Sequence, residues 1–114
     1  MSIDVQQVTD AVIATASEVI DADVTLIRSF QRRQVEALAQ QAAFIAAGIA
    51  SGDITENTRD FFLDELEHMA ESFVKTLVRL SHVLFEKIWN AVMQVLWQAI
   101  EGAIGTALPL PRLA

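Results

Sequence analysis

The C-terminal third of the chain, residues 69–104, has the pattern of a helix that is apolar around most of its circumference. Thirteen of the eighteen residues in 83–100 are apolar, and Trp89 and Trp97 are among them. The polar residues recur every three or four positions and form one stripe on a helix: Glu86, Lys87, Asn90, Gln94 and Gln98. A helix with so wide an apolar face is not stable alone in water. Protein or lipid must therefore cover it, and this requirement constrains the fold more than any other feature.

The composition indicates one all-α domain that spans residues 1–114. Apolar residues make up 53% of the chain, which is too many for a disordered protein. Four Gly and two Pro are too few for the turns of a β-sandwich or barrel. The chain has no Cys, which excludes disulfides, thiolate metal sites and Cys nucleophiles. The N-terminus lacks the basic and apolar regions of a secretory signal peptide, so we expect a cytoplasmic or particle-associated protein.

The net charge of −7 is unevenly distributed. Residues 1–27 carry five acids and no base, and residues 53–71 carry seven acids and one Arg. A nucleic-acid-binding surface needs a dense basic face, so we expect no nucleic-acid partner. The acidic balance also weakens simple adsorption to anionic lipid.

The clearest break in the helical pattern is a turn at residues 51–55. Gly52 suits the left-handed position that follows the end of a helix. Either Asp53 or Thr55 can cap the next helix, because a side-chain oxygen there accepts hydrogen bonds from the first free backbone N–H groups.

Apolar residues recur at helical spacing in two regions of similar length, 3–50 and 56–104. The second has no Gly or Pro before Gly102, near its end, and as one helix it would be about 70 Å long. The two regions predict a long antiparallel helical hairpin, in which the first helix is open to a break within 21–33. The alternative is a monomeric three- or four-helix bundle with breaks near 21–24 and 29–33.

A hairpin buries one seam of each helix and leaves much of the second helix exposed. Exposed apolar surface of that extent marks an interface, so we predict a homo-oligomeric helical bundle. The predicted oligomer interface comprises Phe73, Leu77, Leu84, Ile88, Trp89, Val92, Leu96, Trp97 and Ile100. The hairpin register also places Arg32 and Arg33 level with Glu67 and Glu71, as ion-pair partners.

The spacing Glu65-x-x-His68 is the candidate for metal chemistry. Residues three apart share a helix face, so the carboxylate and the imidazole can bind one metal ion. In the hairpin, Glu36 lies level with residue 69, close to this pair. These three positions resemble half of the di-iron site of the small encapsulated ferritins, which implies an iron site that a second chain completes. Without that resemblance, the residues require no cofactor.

A lipid partner is the third interpretation. The longest uncharged run, 88–100, is thirteen residues, whereas a spanning helix needs about 20. The wide apolar face and the two Trp residues suit a membrane surface better. In an oligomeric pore, the stripe of Asn90, Gln94 and Gln98 would line the lumen.

The segment 105–114 contains Pro109 and Pro111, which predict an extended, polyproline-like tail rather than helix. We interpret this tail as a docking peptide for a larger protein assembly. The main prediction is therefore a structural protein, not an enzyme, that self-associates through its C-terminal helix and serves as a small component of a particle such as a virion. The alternatives are a dimer-built di-iron protein and a membrane-associating or pore-forming oligomer.

Overall fold

The computed structural model describes residues 3–20 and 24–105, and in the second range it describes the side chains from Arg32 onward. These residues form four α-helices, which confirms the all-α class. The helices are α1 (Val5–Ile20), α2 (Val24–Ser51), α3 (Glu56–Ser81) and α4 (Phe85–Ile104). Apart from Gly105, the predicted tail lies outside the described residues.

The helices pack as a four-helix bundle rather than as a two-helix hairpin. α1 packs against α2 and α4, and α3 packs against the same two helices from the other side. α2 and α4 also contact each other across the bundle. The structure measures 40 × 29 × 18 Å, whereas a hairpin of two unbroken helices would be about 70 Å long. The suggested break near 29–33 is absent, because α2 is continuous from Val24 to Ser51.

The core lies between all four helices and contains one set of large apolar side chains. Its largest fully buried members are Ile13 from α1, Leu38 and Ile45 from α2, Leu66, Phe73 and Leu77 from α3, and Ile88, Met93, Leu96, Trp97 and Ile100 from α4. On α4, the predicted polar stripe faces outward, and Gln94 and Gln98 are exposed. The hydrophobic periodicity of the sequence therefore corresponds to burial within one chain.

The turn between α2 and α3 closes through backbone hydrogen bonds and one very close contact. Gly52 has φ of +87°, and its N–H donates to the Ile49 carbonyl at 3.2 Å. The N–H of Ile54 donates to the Gly48 carbonyl at 2.9 Å, which brings the buried Ile54 side chain over Gly48. α3 then begins after Thr55, whose N–H donates to the Thr58 hydroxyl at 3.0 Å.

The chain reverses a second time at residues 82–84, inside the region expected to be one helix. His82 adopts a left-handed conformation with φ of +62°, and its N–H donates to the Val78 carbonyl at 2.8 Å. The Ser81 hydroxyl donates to the Leu77 carbonyl at 2.7 Å and accepts the N–H of Val83 at 3.2 Å. The serine side chain thus forms hydrogen bonds with backbone groups at the end of the helix. Because of these bonds, α3 can end here although no Gly or Pro is present.

The energy of packing explains why the chain tolerates this reversal. A left-handed conformation costs a residue other than Gly about 1–2 kcal/mol. Full burial of one large apolar side chain stabilises a protein by about 1.5–3 kcal/mol. The reversal lets α4 fold back and bury several such side chains, including Met93 and Trp97. The free energy gained by burying these side chains is therefore several times larger than the cost of the left-handed conformation.

This reversal buries most of the predicted oligomer interface within the chain. Eight of its nine residues are buried within the single chain: Phe73, Leu77, Ile88, Trp89, Val92, Leu96, Trp97 and Ile100. Leu84, at the reversal, is exposed. The prediction assumed one helix over 56–104, whose apolar face the hairpin could not cover. With α4 folded back, the other helices of the same chain cover that face.

The predicted pairing of Arg32 with α3 is also replaced. The Arg32 guanidinium contacts the Asp10 carboxylate on α1 at 3.6 Å and the Glu36 carboxylate one turn along α2 at 2.9 Å. Glu71 pairs instead with Lys75 at 2.8 Å. The bundle places α1 beside the N-terminal part of α2, where the hairpin would have placed α3.

We predict that Gly48→Ala lowers the free energy of unfolding by about 1–3 kcal/mol, as overpacking does. A Cβ atom at Gly48 would lie 2.5 Å from Cδ1 and 2.6 Å from Cγ1 of Ile54. The matched control is Gly102→Ala, because no atom lies within 4 Å of a Cβ there. Gly102→Ala should raise the free energy of unfolding by about 0.5–1 kcal/mol. Urea denaturation followed by circular dichroism measures both, and equal effects would contradict the close packing of Ile54 on Gly48.

We predict that His82→Gly raises the free energy of unfolding by about 0.5–1 kcal/mol, because Gly adopts the left-handed conformation without steric cost. His82→Val should lower it, since a β-branched residue fits that conformation poorly. As a control within a helix, Lys87→Gly should cost about 1 kcal/mol. If His82→Gly destabilised the protein as much as Lys87→Gly, residue 82 would be helical and α3 would continue into α4.

Candidate functional site

A groove of about 500 Å³ lies between α3 and α4. We call it the acidic groove, and it is lined by Asp64, Glu67, His68, Glu71, Lys75, Phe85 and Trp89. Five of these residues come from α3 and two from the first turns of α4. The groove therefore exists only because the chain reverses between the two helices.

The spacing of the acidic residues on α3 forms the rim of the acidic groove. Asp64, Glu67 and Glu71 lie three and four residues apart, which places them on one face of the helix. The N–H···O contact between Lys75 and Glu71, at 2.8 Å, neutralises one end of the rim. Asp64 and Glu67 lie further from that lysine than Glu71 does, and they remain as an acidic pair.

Two aromatic side chains of α4 form the floor of the groove. The rings of Phe85 and Trp89 stack with centroids 5.6 Å apart and an interplanar angle of 19°. Trp89 is almost fully buried and Phe85 is partly exposed. The faces of aromatic rings attract cations, and the carboxylates of the rim do the same. An apolar group that carries a positive charge therefore matches both parts of the groove.

The electrostatics of the rim differ between its two glutamates. Burial raises the pKa of Glu67, and Asp64 raises it further through charge repulsion and a side-chain hydrogen bond. The hydrogen bond from Lys75 and its positive charge lower the pKa of Glu71. The Asp64–Glu67 pair is thus the part of the rim where a cation from outside would relieve the most repulsion.

The candidate iron ligands are not assembled into a site within the chain. Glu65 and His68 are exposed on α3, and only His68 lines the acidic groove. The Glu36 carboxylate is engaged by Arg32 at 2.9 Å. Among the described residues, no group of three or more His, Asp or Glu side chains is placed to hold a metal ion. The hairpin register would have brought these candidate ligands level with one another, but the bundle does not bring them together as a site.

The membrane alternative depends on the helices in the described part of the chain. None of its helices combines the length and the hydropathy that crossing a bilayer requires. The apolar face of α4, which would have met lipid, packs against the other helices.

Sequence reasoning did not find the acidic groove, because its two sides come from one predicted helix. On a continuous helix, Glu67 and Phe85 would lie about 27 Å apart. The sequence predicted Glu67 and Glu71 as ion-pair partners of arginines, and Trp89 as part of an oligomer interface. The signal that was present is local and weak: Ser81 followed by His82 and the β-branched Val83.

The chain matches no protein-family model, no curated protein and no solved structure.

We predict that Glu67→Gln stabilises the protein near pH 7, by about 0.5 kcal/mol or less because the side chain is partly solvated. The raised pKa of Glu67 means that ionisation costs the folded state more than the unfolded state. The stability that the protonated carboxyl contributes is therefore lost as the pH rises through its folded pKa. Below the ordinary value of 4.5, the variant and the wild type should converge.

The control for this prediction is Glu71→Gln, for which the sign is opposite. The lowered pKa of Glu71 means that its carboxylate stabilises the fold at neutral pH, and that this contribution is lost as the pH falls. Glu71→Gln should therefore be less stable than the wild type near pH 7 and equal to it in acid. Thermal unfolding across that pH range tests both variants, and a shift of the same sign in both would contradict the assignment.

Proposed function

We propose that this protein is a structural assembly element, whose role is to bind other protein chains, including copies of itself, in a larger particle. The observation that carries the proposal is that apolar side chains remain exposed in two groups while the core is well filled. Scattered exposed apolar residues are ordinary, whereas grouped ones mark interaction surfaces. The two groups lie near opposite ends of α3.

The first group, the phenylalanine cluster, consists of Phe44, Phe61 and Phe62. Phe44 is 56% exposed and Phe61 is 62% exposed. The Phe62 ring joins them, with centroid distances of 5.8 Å to Phe44 and 5.3 Å to Phe61. Aromatic side chains supply much of the energy of protein interfaces, because they bury a large area with few rotatable bonds.

The second group, the leucine corner, consists of Leu80 and Leu84 at the reversal between α3 and α4. Leu80 is 57% exposed and Leu84 is 68% exposed. Leu84 immediately precedes Phe85, which lines the acidic groove. A partner that contacts the corner would have the groove within reach.

These surfaces support a revised route to self-association. The sequence favoured the apolar face of the C-terminal helix, but that face packs inside the chain. The exposed groups offer contacts that leave the bundle intact, as expected for a subunit that folds first and assembles afterwards. A small component of a virion or of a similar particle remains the setting that we propose.

We predict that light scattering after size exclusion gives a mass that rises with concentration above the 12.6 kDa of one chain, with or without mild detergent. The variants Phe44→Ser/Phe61→Ser and Leu80→Ser/Leu84→Ser should each reduce that mass, because each removes one apolar contact surface. Ala14→Ser, on the exposed face of α1, is the control and should leave the mass unchanged.

Circular dichroism of each variant confirms that its helices are intact before the masses are compared. A wild-type chain that remains at the mass of one chain at every concentration would contradict self-association. Association that neither double variant weakens would show that copies meet through other surfaces.

A further inference from the structure

We propose that the acidic groove binds the C-terminal segment of a second copy of this chain, residues 108–113. The inference rests on the proposed function, because it names one contact through which copies associate. The segment reads Leu-Pro-Leu-Pro-Arg-Leu and lies outside the described residues. Its sequence and the geometry of the groove together specify the contact.

The floor of the groove favours a ligand with the chemistry of this segment. Proline restricts the backbone to an extended helix that has no internal hydrogen bonds, so such a segment loses little entropy when it binds. Proline-rich peptides dock against aromatic-lined grooves for this reason. The stacked rings of Phe85 and Trp89 supply an aromatic surface, and Pro109 and Pro111 with their flanking leucines supply the apolar ligand.

The rim of the groove favours the charge of the same segment. Arg112 is the one charged residue in 102–114, and it immediately follows Pro111. A guanidinium can bond a carboxylate through two N–H groups and can also stack on an aromatic ring. The Asp64–Glu67 pair presents two carboxylates near each other without the lysine that neutralises Glu71. Arg112 would therefore bind at this end of the rim.

The length of the chain decides that the segment comes from a second copy. Trp89 and Gly105 are separated by most of α4, which corresponds to about 24 Å at the rise of an α-helix. Pro109 and Pro111 are four and six residues beyond Gly105 and reach about 12 Å and about 19 Å in a polyproline conformation. Both distances are shorter than about 24 Å, so the prolines of a chain fall short of its own aromatic floor. Each copy offers one groove and one segment, so the contact joins copies head to tail or by reciprocal exchange.

The test uses full-length chains and a pair of charge reversals, Arg112→Glu and Glu67→Lys. Each variant alone should self-associate at least about tenfold more weakly than the wild type, as expected when a charge-assisted hydrogen bond is lost. The matched control is Glu65→Lys, which makes the same change on α3 at an exposed position that does not line the groove. It should associate as the wild type does.

The decisive sample is an equimolar mixture of the two reversed variants. Arg112→Glu retains an intact groove, and Glu67→Lys retains an intact segment. The mixture should therefore form heterodimers, whereas each variant alone associates weakly with itself. Sedimentation velocity with one variant fluorescently labelled measures this. A single chain that carries both reversals should also regain association, because the charges are exchanged. Absence of heterodimers, or unchanged association of Arg112→Glu, overturns the contact while the proposed function stands.

A wild-type chain that does not associate overturns the proposed function, and a second measurement then decides about the groove. A synthetic peptide of residues 105–114 is titrated into the Arg112→Glu chain while tryptophan emission is followed, with a peptide that carries Glu at position 112 as the control. A saturable change with the first peptide alone supports the groove as a receptor for such segments. No change with either peptide overturns it.

Discussion

The reversal of the chain between Ser81 and Phe85 is the constraint on which the remaining structure depends. It requires a left-handed His82 and the hydrogen bonds of the Ser81 hydroxyl to the Leu77 carbonyl and from the Val83 N–H. Without it, α4 would extend away from α1 and α2, and its apolar face would remain exposed. A cost of about 1–2 kcal/mol at one residue is small beside the burial of a whole helix face.

The same reversal produces two of the surfaces to which we assign function, the acidic groove and the leucine corner. It brings the carboxylates of α3 next to Phe85 and Trp89, which forms the acidic groove. It also leaves Leu80 and Leu84 exposed, since a tight corner offers no neighbouring helix to cover them. These two proposed contacts therefore arise from the geometry that lets one chain fill its own core, and assembly does not require the core to open.

The helical class and the need to cover α4 could be predicted from hydrophobic periodicity, because a helix repeats its faces every 3.6 residues. The break suggested near 29–33 was a weaker guide, because α2 is continuous from Val24 to Ser51. Arg32, which lies within that range, pairs with Asp10 and Glu36. The acidic groove could not be predicted, since residues 64 and 89 are distant along any continuous helix.

The sequence by itself determined that the chain is helical, that it turns after Ser51, and that the apolar face of its last helix must be covered. These properties depend on side-chain spacing and on residues such as Gly52, whose conformational preferences are local. Only the tertiary structure decided that the other helices of the same chain provide the cover. This choice depends on one residue that adopts the left-handed conformation although it is neither Gly nor Pro, which local propensity does not indicate. It also depends on the burial energy summed over four helices, which becomes available only when they pack together.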